Sequence, residues 1–297
     1  MFRSYVRGGT MYLTIKPPIK RMFLTLMLIS SFSTTSASAE IKFAILPRLS
    51  PTELYIMFKP LEEYLSKEVG ENVSLVITKD FTEFAKIVET GQADLGFANS
   101  LVYVQIKKNS DIKPLAMASE PLAGAKFRGI IIARKDSNIN RIEDLKGKKL
   151  SFVEETSLAG YILQMLLLHN AGMDIHKDFT ILPFAKRHDK VAYSVLIKLA
   201  DAGGIREDDL EKLKHPVDIN QLKIVAYTAY FPNWPVFATP RINKHVAKKI
   251  KDALLKLTPK APQSEKILGS AKLEGFITVK DKDYDGLRKA AKIVGAF

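Results

Sequence analysis

From Ile41 onward, short apolar runs rich in β-branched residues alternate with longer stretches whose apolar positions recur every three to four residues. This rhythm restricts the chain to an α/β architecture, in which helices cover open sheets. Residues 41–46 read as a strand. A helix is predicted over 53–69, because Leu54, Met57, Phe58, Leu61, Tyr64 and Leu65 fall on one face. Strands at 73–78 and 93–97 bracket a short helix at 81–88, and Asn99-Ser100 stand where a helix over 101–108 begins.

The same rhythm restarts near Arg128. Gly129-Ile130-Ile131-Ile132-Ala133 is apolar enough for a strand buried on both faces. A short helix at 140–145 leads into a strand at 150–153, and Thr156-Ser157 precede a strongly apolar helix at 158–169. A strand at 179–184, a helix at 189–199 and strands at 202–205 and 222–227 follow, after which a strand at 236–239 enters a helix at 244–257. Ala-Asp-x-Gly occurs at Ala93 and again at Ala200-Asp201-Ala202-Gly203, each time after an amphipathic helix. The echo fits two similar lobes or one common turn used twice.

Charge narrows the partners. Of 297 residues, 45 are Lys or Arg and 32 are Asp or Glu, a formal charge of +13. Residues 1–39 hold Arg3, Arg7, Lys16, Lys20 and Arg21 and no acid, so the remainder carries +8. That segment continues into the apolar run Met22 to Ile29 and reaches Ala37-Ser38-Ala39, the pattern of a cleavable signal peptide cut after Ala39 and of a periplasmic protein. The alternative is an uncleaved anchor, but the apolar run falls short of the ~20 residues a helix needs to span a bilayer. The lysines are spread along helices without aromatic interleaving, so no nucleic-acid partner is expected. No cysteine is present, which excludes disulfides, thiol nucleophiles, Cys-ligated metals and a lipoprotein anchor.

The chemistry expected is binding, with no catalytic residue, metal or cofactor. His169, His176, His188, His215 and His245 lack metal-site spacing, and no nucleophile elbow, Walker loop or dinucleotide fingerprint occurs. Glu154-Glu155 and Glu207-Asp208-Asp209 suit solvated or capping roles. Thr156-Ser157-Leu158-Ala159-Gly160 joins a strand end to a helix start, where free N–H groups bind anions or the hydroxyls merely cap. Asn99-Ser100 hold the corresponding place in the first unit. Two such termini face a cleft at the strand carboxyl ends, the usual ligand position in open α/β sheets. His188 lies on the same edge, either as a pH-sensitive donor or as another helix cap.

The order of these motifs resembles the periplasmic phosphonate-, phosphite- and phosphate-binding proteins of ABC transporters, which have the type II binding-protein fold. The resemblance is carried by Pro60-Leu61-Glu62-Glu63-Tyr64-Leu65, Asp80-Phe81, Ala93-Asp94-Leu95-Gly96-Phe97 before Asn99, Thr156-Ser157 before Gly160-Tyr161, His188, Ala200-Asp201-Ala202-Gly203 and Pro232-Asn233-Trp234-Pro235. It implies an oxyanion held by a Ser-Thr-Ser run at a helix N-terminus, a His and a Tyr. Ser157 stands at the first Ser, whereas Leu158 and Ala159 replace the next two residues, Phe81 replaces the Tyr, and Trp234 stands where an acid can occur.

The expectation is therefore two α/β lobes, 40–128 plus 235–297 and 129–234, joined by crossovers near 127–130 and 227–234. The ligand, a small oxyanion, is expected against Phe81, Asn99, Ser100, Thr156, Ser157, Leu158, Ala159, Gly160, His188 and Trp234. The protein is expected to act as a monomer that serves a membrane permease, with a sensor histidine kinase as the rival partner.

Overall fold

The alternation of strand and helix resolves into two open sheets and one short ribbon. In the computed structural model the described residues are Gly8 and 40–296, apart from 48, 175, 176 and 213–217. The predicted signal peptide, apart from Gly8, and both His176 and His215 lie outside them.

The chain runs through β1 (Ile41–Ile45), α1 (Pro51–Val69), β2 (Val73–Ile77), α2 (Phe81–Glu89), β3 (Leu95–Phe97), α3 (Ser100–Asn109) and β4 (Lys113–Ser119). It crosses through β5 (Lys126–Phe127) into β6 (Gly129–Arg134), β7 (Lys149–Ser151), α4 (Leu163–Asn170), β8 (Thr180–Ile181), α5 (His188–Leu196), β9 (Ala202–Arg206), α6 (Glu207–Lys212) and β10 (Leu222–Tyr227). It returns through β11 (Phe231–Pro232) to β12 (Pro235–Ala238), α7 (Lys244–Lys256), α8 (Ser264–Leu268), β13 (Gly275–Ile277) and α9 (Asp285–Ile293). The first sheet has the order β13-β4-β12-β3-β1-β2 and the second β10-β6-β9-β7-β8. β5 and β11, one from each connection, pair antiparallel, with Phe231 opposite Phe127 and Pro232 opposite Lys126.

Local chemistry explains the elements that carry the first sheet. Ser50 and Glu53 form a capping box at the start of α1, and Gly70, at φ 76°, ends it in the left-handed conformation. Leu54, Phe58, Leu61 and Leu65 are buried against β1 and β2, each worth about 1.5–3 kcal/mol. α1, α7 and α8 cover this face, while residues of α2, α3 and α9 pack on the other. In the second sheet Val191 and Val195 of α5 pack on Ile130 and Ile132, and Met165 and Leu168 of α4 pack on Ile131 and Leu150.

Several local readings differ from the sequence expectation. The helix expected over 158–169 opens with a π-turn, Leu158–Ile162, before α4. The strand expected over 179–184 keeps only Thr180–Ile181, because only Lys149 and Leu150 offer it partners. β4 and β13 carry no strong strand pattern of their own. β4 is held by β12 on one side and β13 on the other.

Candidate functional site

The strand carboxyl ends of the two sheets supply one wall each of a cavity of about 240 Å³. On the first sheet β3 leads to Asn99, whose Oδ1 accepts the Val102 N–H at 2.8 Å and caps α3. Asp80 caps α2 in the same way, taking the Glu83 N–H at 2.8 Å, and so fixes Phe81 at the first helical position. On the second sheet the chain leaves β7 through Phe152 and Val153 into the turn that precedes the π-turn.

The π-turn sets the donor chemistry of that wall. Its first bond runs from the Ile162 N–H to the Ser157 carbonyl at 3.1 Å. The N–H groups of residues 158–161 therefore lie ahead of any helical acceptor, as at every helix start. Ser157 makes no side-chain cap bond. Its own N–H is fixed by the Glu154 carbonyl at 2.9 Å.

Phe81, Asn99, Thr156, Ser157, Leu158, Ala159, His188 and Trp234 line this cavity together. Ser100 and Gly160 do not. The buried Ser100 hydroxyl donates to the Pro232 carbonyl at 2.6 Å and ties α3 to β11. Gly160 sits behind the wall, where a Cβ would come within 2.5 Å of Val153 Cγ2 and 2.7 Å of Ser157 Oγ. A larger groove of about 460 Å³, bordered by Lys113, Lys244, Lys248 and Lys251, contains none of the predicted residues.

Phe127, Val153, Glu154 and Arg206 complete the lining, and sequence reasoning missed all four. Arg206 was the most findable, as the one basic residue between a buried strand and the acidic run Glu207-Asp208-Asp209. Its side chain is 15% exposed. Nη2 donates to Glu120 Oε2 at 2.6 Å, Nε donates to Asp208, and the guanidinium lies 4.7 Å from the Phe127 ring centroid. Burial works against its charge, but the Glu120 and Asp208 carboxylates outweigh that and raise its pKa.

His188 is engaged on both nitrogens. Nδ1 accepts the Arg206 backbone N–H at 3.2 Å, and Nε2 stands 3.4 Å from Asp209 Oδ2. This network puts the proton of the neutral ring on Nε2. As a donor to an anion the neutral ring has Nε2, which it shares with Asp209. Trp234 stacks at 5.3 Å on Phe97, which itself lies 5.6 Å from Phe58 in the core.

This geometry has known counterparts. A family model described as the periplasmic substrate-binding protein of phosphonate ABC transporters matches residues 43–284. The phosphate-import protein PhnD of Mycolicibacterium smegmatis is 26% identical over 280 residues, covering 86% of each chain. The tetrathionate sensor histidine kinase of Salmonella typhimurium is 22% identical over 213 residues, covering 66% of this chain but 36% of that protein. Among solved structures, PhnD1 from Prochlorococcus marinus in complex with methylphosphonate superposes with a TM-score of 0.68 at 20% identity, covering 87% of this chain and 99% of that one. The two sheets are thus the two lobes of a type II periplasmic binding protein. With the family pattern running from β1 to the residues before α9, the chain belongs to the periplasmic substrate-binding proteins of phosphonate ABC transporters.

Proposed function

We propose that this protein captures a small oxyanion, phosphonate-, phosphite- or phosphate-like, in the cavity between its lobes and hands it unchanged to a membrane permease. Residues 40–128 plus 235–297 form one lobe and 129–234 the other, hinged at the β5–β11 ribbon. The protein works as a monomer in the periplasm once residues 1–39 are removed.

The observation that carries this reading is the π-turn wall, where Ser157 and the N–H groups ahead of the first helical bond share one cavity with Asn99 and His188. Such a terminus supplies about half a positive charge without any lysine, enough to hold an anion in a partly dry cavity. The names of the relatives, one importing phosphate and one bound to methylphosphonate, support the same ligand class.

Calorimetric titration with methylphosphonate, phosphite, phosphate and methanesulfonate tests it. At least one should bind, and mass spectrometry should recover it unaltered. Ser157→Ala should then weaken that ligand by about 1–3 kcal/mol, roughly 5- to 150-fold. An unchanged affinity in Ser157→Ala would move the site to the aromatic wall of Phe81 and Trp234.

A further inference from the structure

We infer that Gln164, which lies outside the lining of the cavity, is the positioning residue of its donor wall: the buried amide holds the Ala159 carbonyl and so keeps the π-turn open. What this does to binding rests on the oxyanion reading above.

The side chain of Gln164 is fully buried at the start of α4. Its Nε2 faces three backbone carbonyls, Ala159 at 2.7 Å, Ile205 at 3.1 Å and Ile130 at 3.2 Å. Two N–H groups thus serve three acceptors, and since an oxygen could not take that place, the orientation of the amide is fixed. Oε1 accepts no hydrogen bond from the described residues. An unpaired buried acceptor is costly, and Leu or Met would fill a similar space without one. Side chains are also given up to admit this amide. A Cβ on Gly129 would collide with Nε2 itself, and one on Gly204 would come within 3.0 Å of Cγ as well as striking Phe152. Packing alone explains neither concession.

The amide acts on the turn before it. An α-helix would bind the carbonyls of residues 157–160 to N–H groups four residues on. Here the Ser157 and Leu158 carbonyls take the N–H groups of Ile162 and Leu163, five residues on. The next two carbonyls engage groups off the helix, Ala159 with Gln164 Nε2 and Gly160 with the Val153 N–H at 3.1 Å. A side chain inserted into the ladder widens a turn in this way. The same Nε2 reaches β6 at Ile130 and β9 at Ile205, two inner strands of the second sheet, so one amide seats the wall that carries Ser157 on the sheet.

Hydrogen exchange of the unliganded protein and calorimetry with methylphosphonate test this on Gln164→Met and Gln164→Glu. Gln164→Met keeps the bulk and removes the donor. Exchange at Ile162 and Leu163 should quicken by about 10-fold or more while Val191 and Val195 of α5 stay as they are, and methylphosphonate should bind about 10-fold more weakly. In Gln164→Glu burial raises the carboxyl pKa, and the protonated acid regains an O–H donor. Relative to the parent at the same pH, this variant should bind within about 3-fold at pH 5 and fall away by pH 8, a profile that a space-filling role would not give. Comparison at one pH cancels the titration of the phosphonate and of His188. Arg128 and Arg206, the charged neighbours in the chain of Gly129 and Ile205, are both held by carboxylates. Unchanged exchange at Ile162 and Leu163 in Gln164→Met overturns the inference, and an affinity ratio that is the same at pH 5 and pH 8 in Gln164→Glu overturns the donor role. Should Gln164→Met not fold, the Gln164→Glu profile decides. Failure of the parent to bind methylphosphonate counts against the oxyanion reading, and exchange in the unliganded protein then decides on Gln164 by itself.

Discussion

At the scale of single residues, Gly160 shows how a wall of backbone donors is built. The turn folds so tightly onto the end of β7 that the Val153 N–H reaches the Gly160 carbonyl at 3.1 Å, with no room for a side chain between them. Gly160→Ala should cost about 1–3 kcal/mol of stability, since backbone must shift to admit the methyl group, and it should weaken ligand binding by displacing Ser157. Thermal denaturation and calorimetry read the two effects. Thr156→Ala is the matched comparison: the residue is exposed, so stability should move by no more than about 0.5 kcal/mol. A Gly160→Ala variant as stable as Thr156→Ala would show that the turn relaxes freely. Asn99 was legible in the sequence because a cap announces itself within three residues, whereas Ser157 makes no side-chain cap bond and was placed by the strand-to-helix junction alone. Arg206 was not, because its place on the cavity wall depends on Glu120, 86 residues away in the chain.

At the scale of elements, the C-terminal helix is held by a polar junction. Tyr103 of α3 donates to Asp281 Oδ1 at 2.6 Å, Arg288 Nη2 donates to the same oxygen at 2.6 Å, and the Tyr284 hydroxyl reaches the Asn233 carbonyl at 3.0 Å. Burial alone would raise the Asp281 pKa, but the Tyr103 hydroxyl and the Arg288 guanidinium more than offset it and hold the carboxyl below the usual 3.8. A carboxylate with a lowered folded pKa stabilises the fold above its unfolded value and loses that contribution as pH falls through the folded one. Asp281→Asn should therefore cost about 1 kcal/mol at neutral pH, a modest figure because the side chain is partly solvated. The gap to the parent should begin to narrow below about pH 4 and go on narrowing as pH falls through the lower folded pKa. Urea unfolding at pH 7 and pH 3 measures it, and a gap as wide at pH 3 as at pH 7 would show that packing, not charge, holds the junction. α9 itself escaped the sequence reading because its buried face is small, Leu287 with Ala290 and Ala291. β4 escaped because Ala116 and Ala118 have little strand preference until β12 and β13 bracket them. α1 was legible for the opposite reason, since its Leu and Phe residues repeat on one face for 19 residues.

At the scale of the whole molecule, the strand order carries information about time. Every strand of the second sheet lies between Gly129 and Tyr227, so that sheet is complete in one uninterrupted stretch. The first sheet has β12 inserted between β3 and β4, and β13 at its edge, both supplied from beyond residue 234. Contacts of such large sequence separation form slowly because a long loop must close first. In pulse-labelled hydrogen exchange during refolding, amides of Gly129–Arg134 and Ala202–Arg206 should be protected before those of Lys113–Ser119. Simultaneous protection would mean that the lobes fold as one unit. During folding the same order sets a sequence of events. The first sheet stays open between β3 and β4 until β12 arrives, so Asn99 takes its place in one cavity with Ser157 only after that long loop has closed. A partly folded molecule with only the second sheet formed thus lacks the wall of the cavity that Phe81 and Asn99 supply.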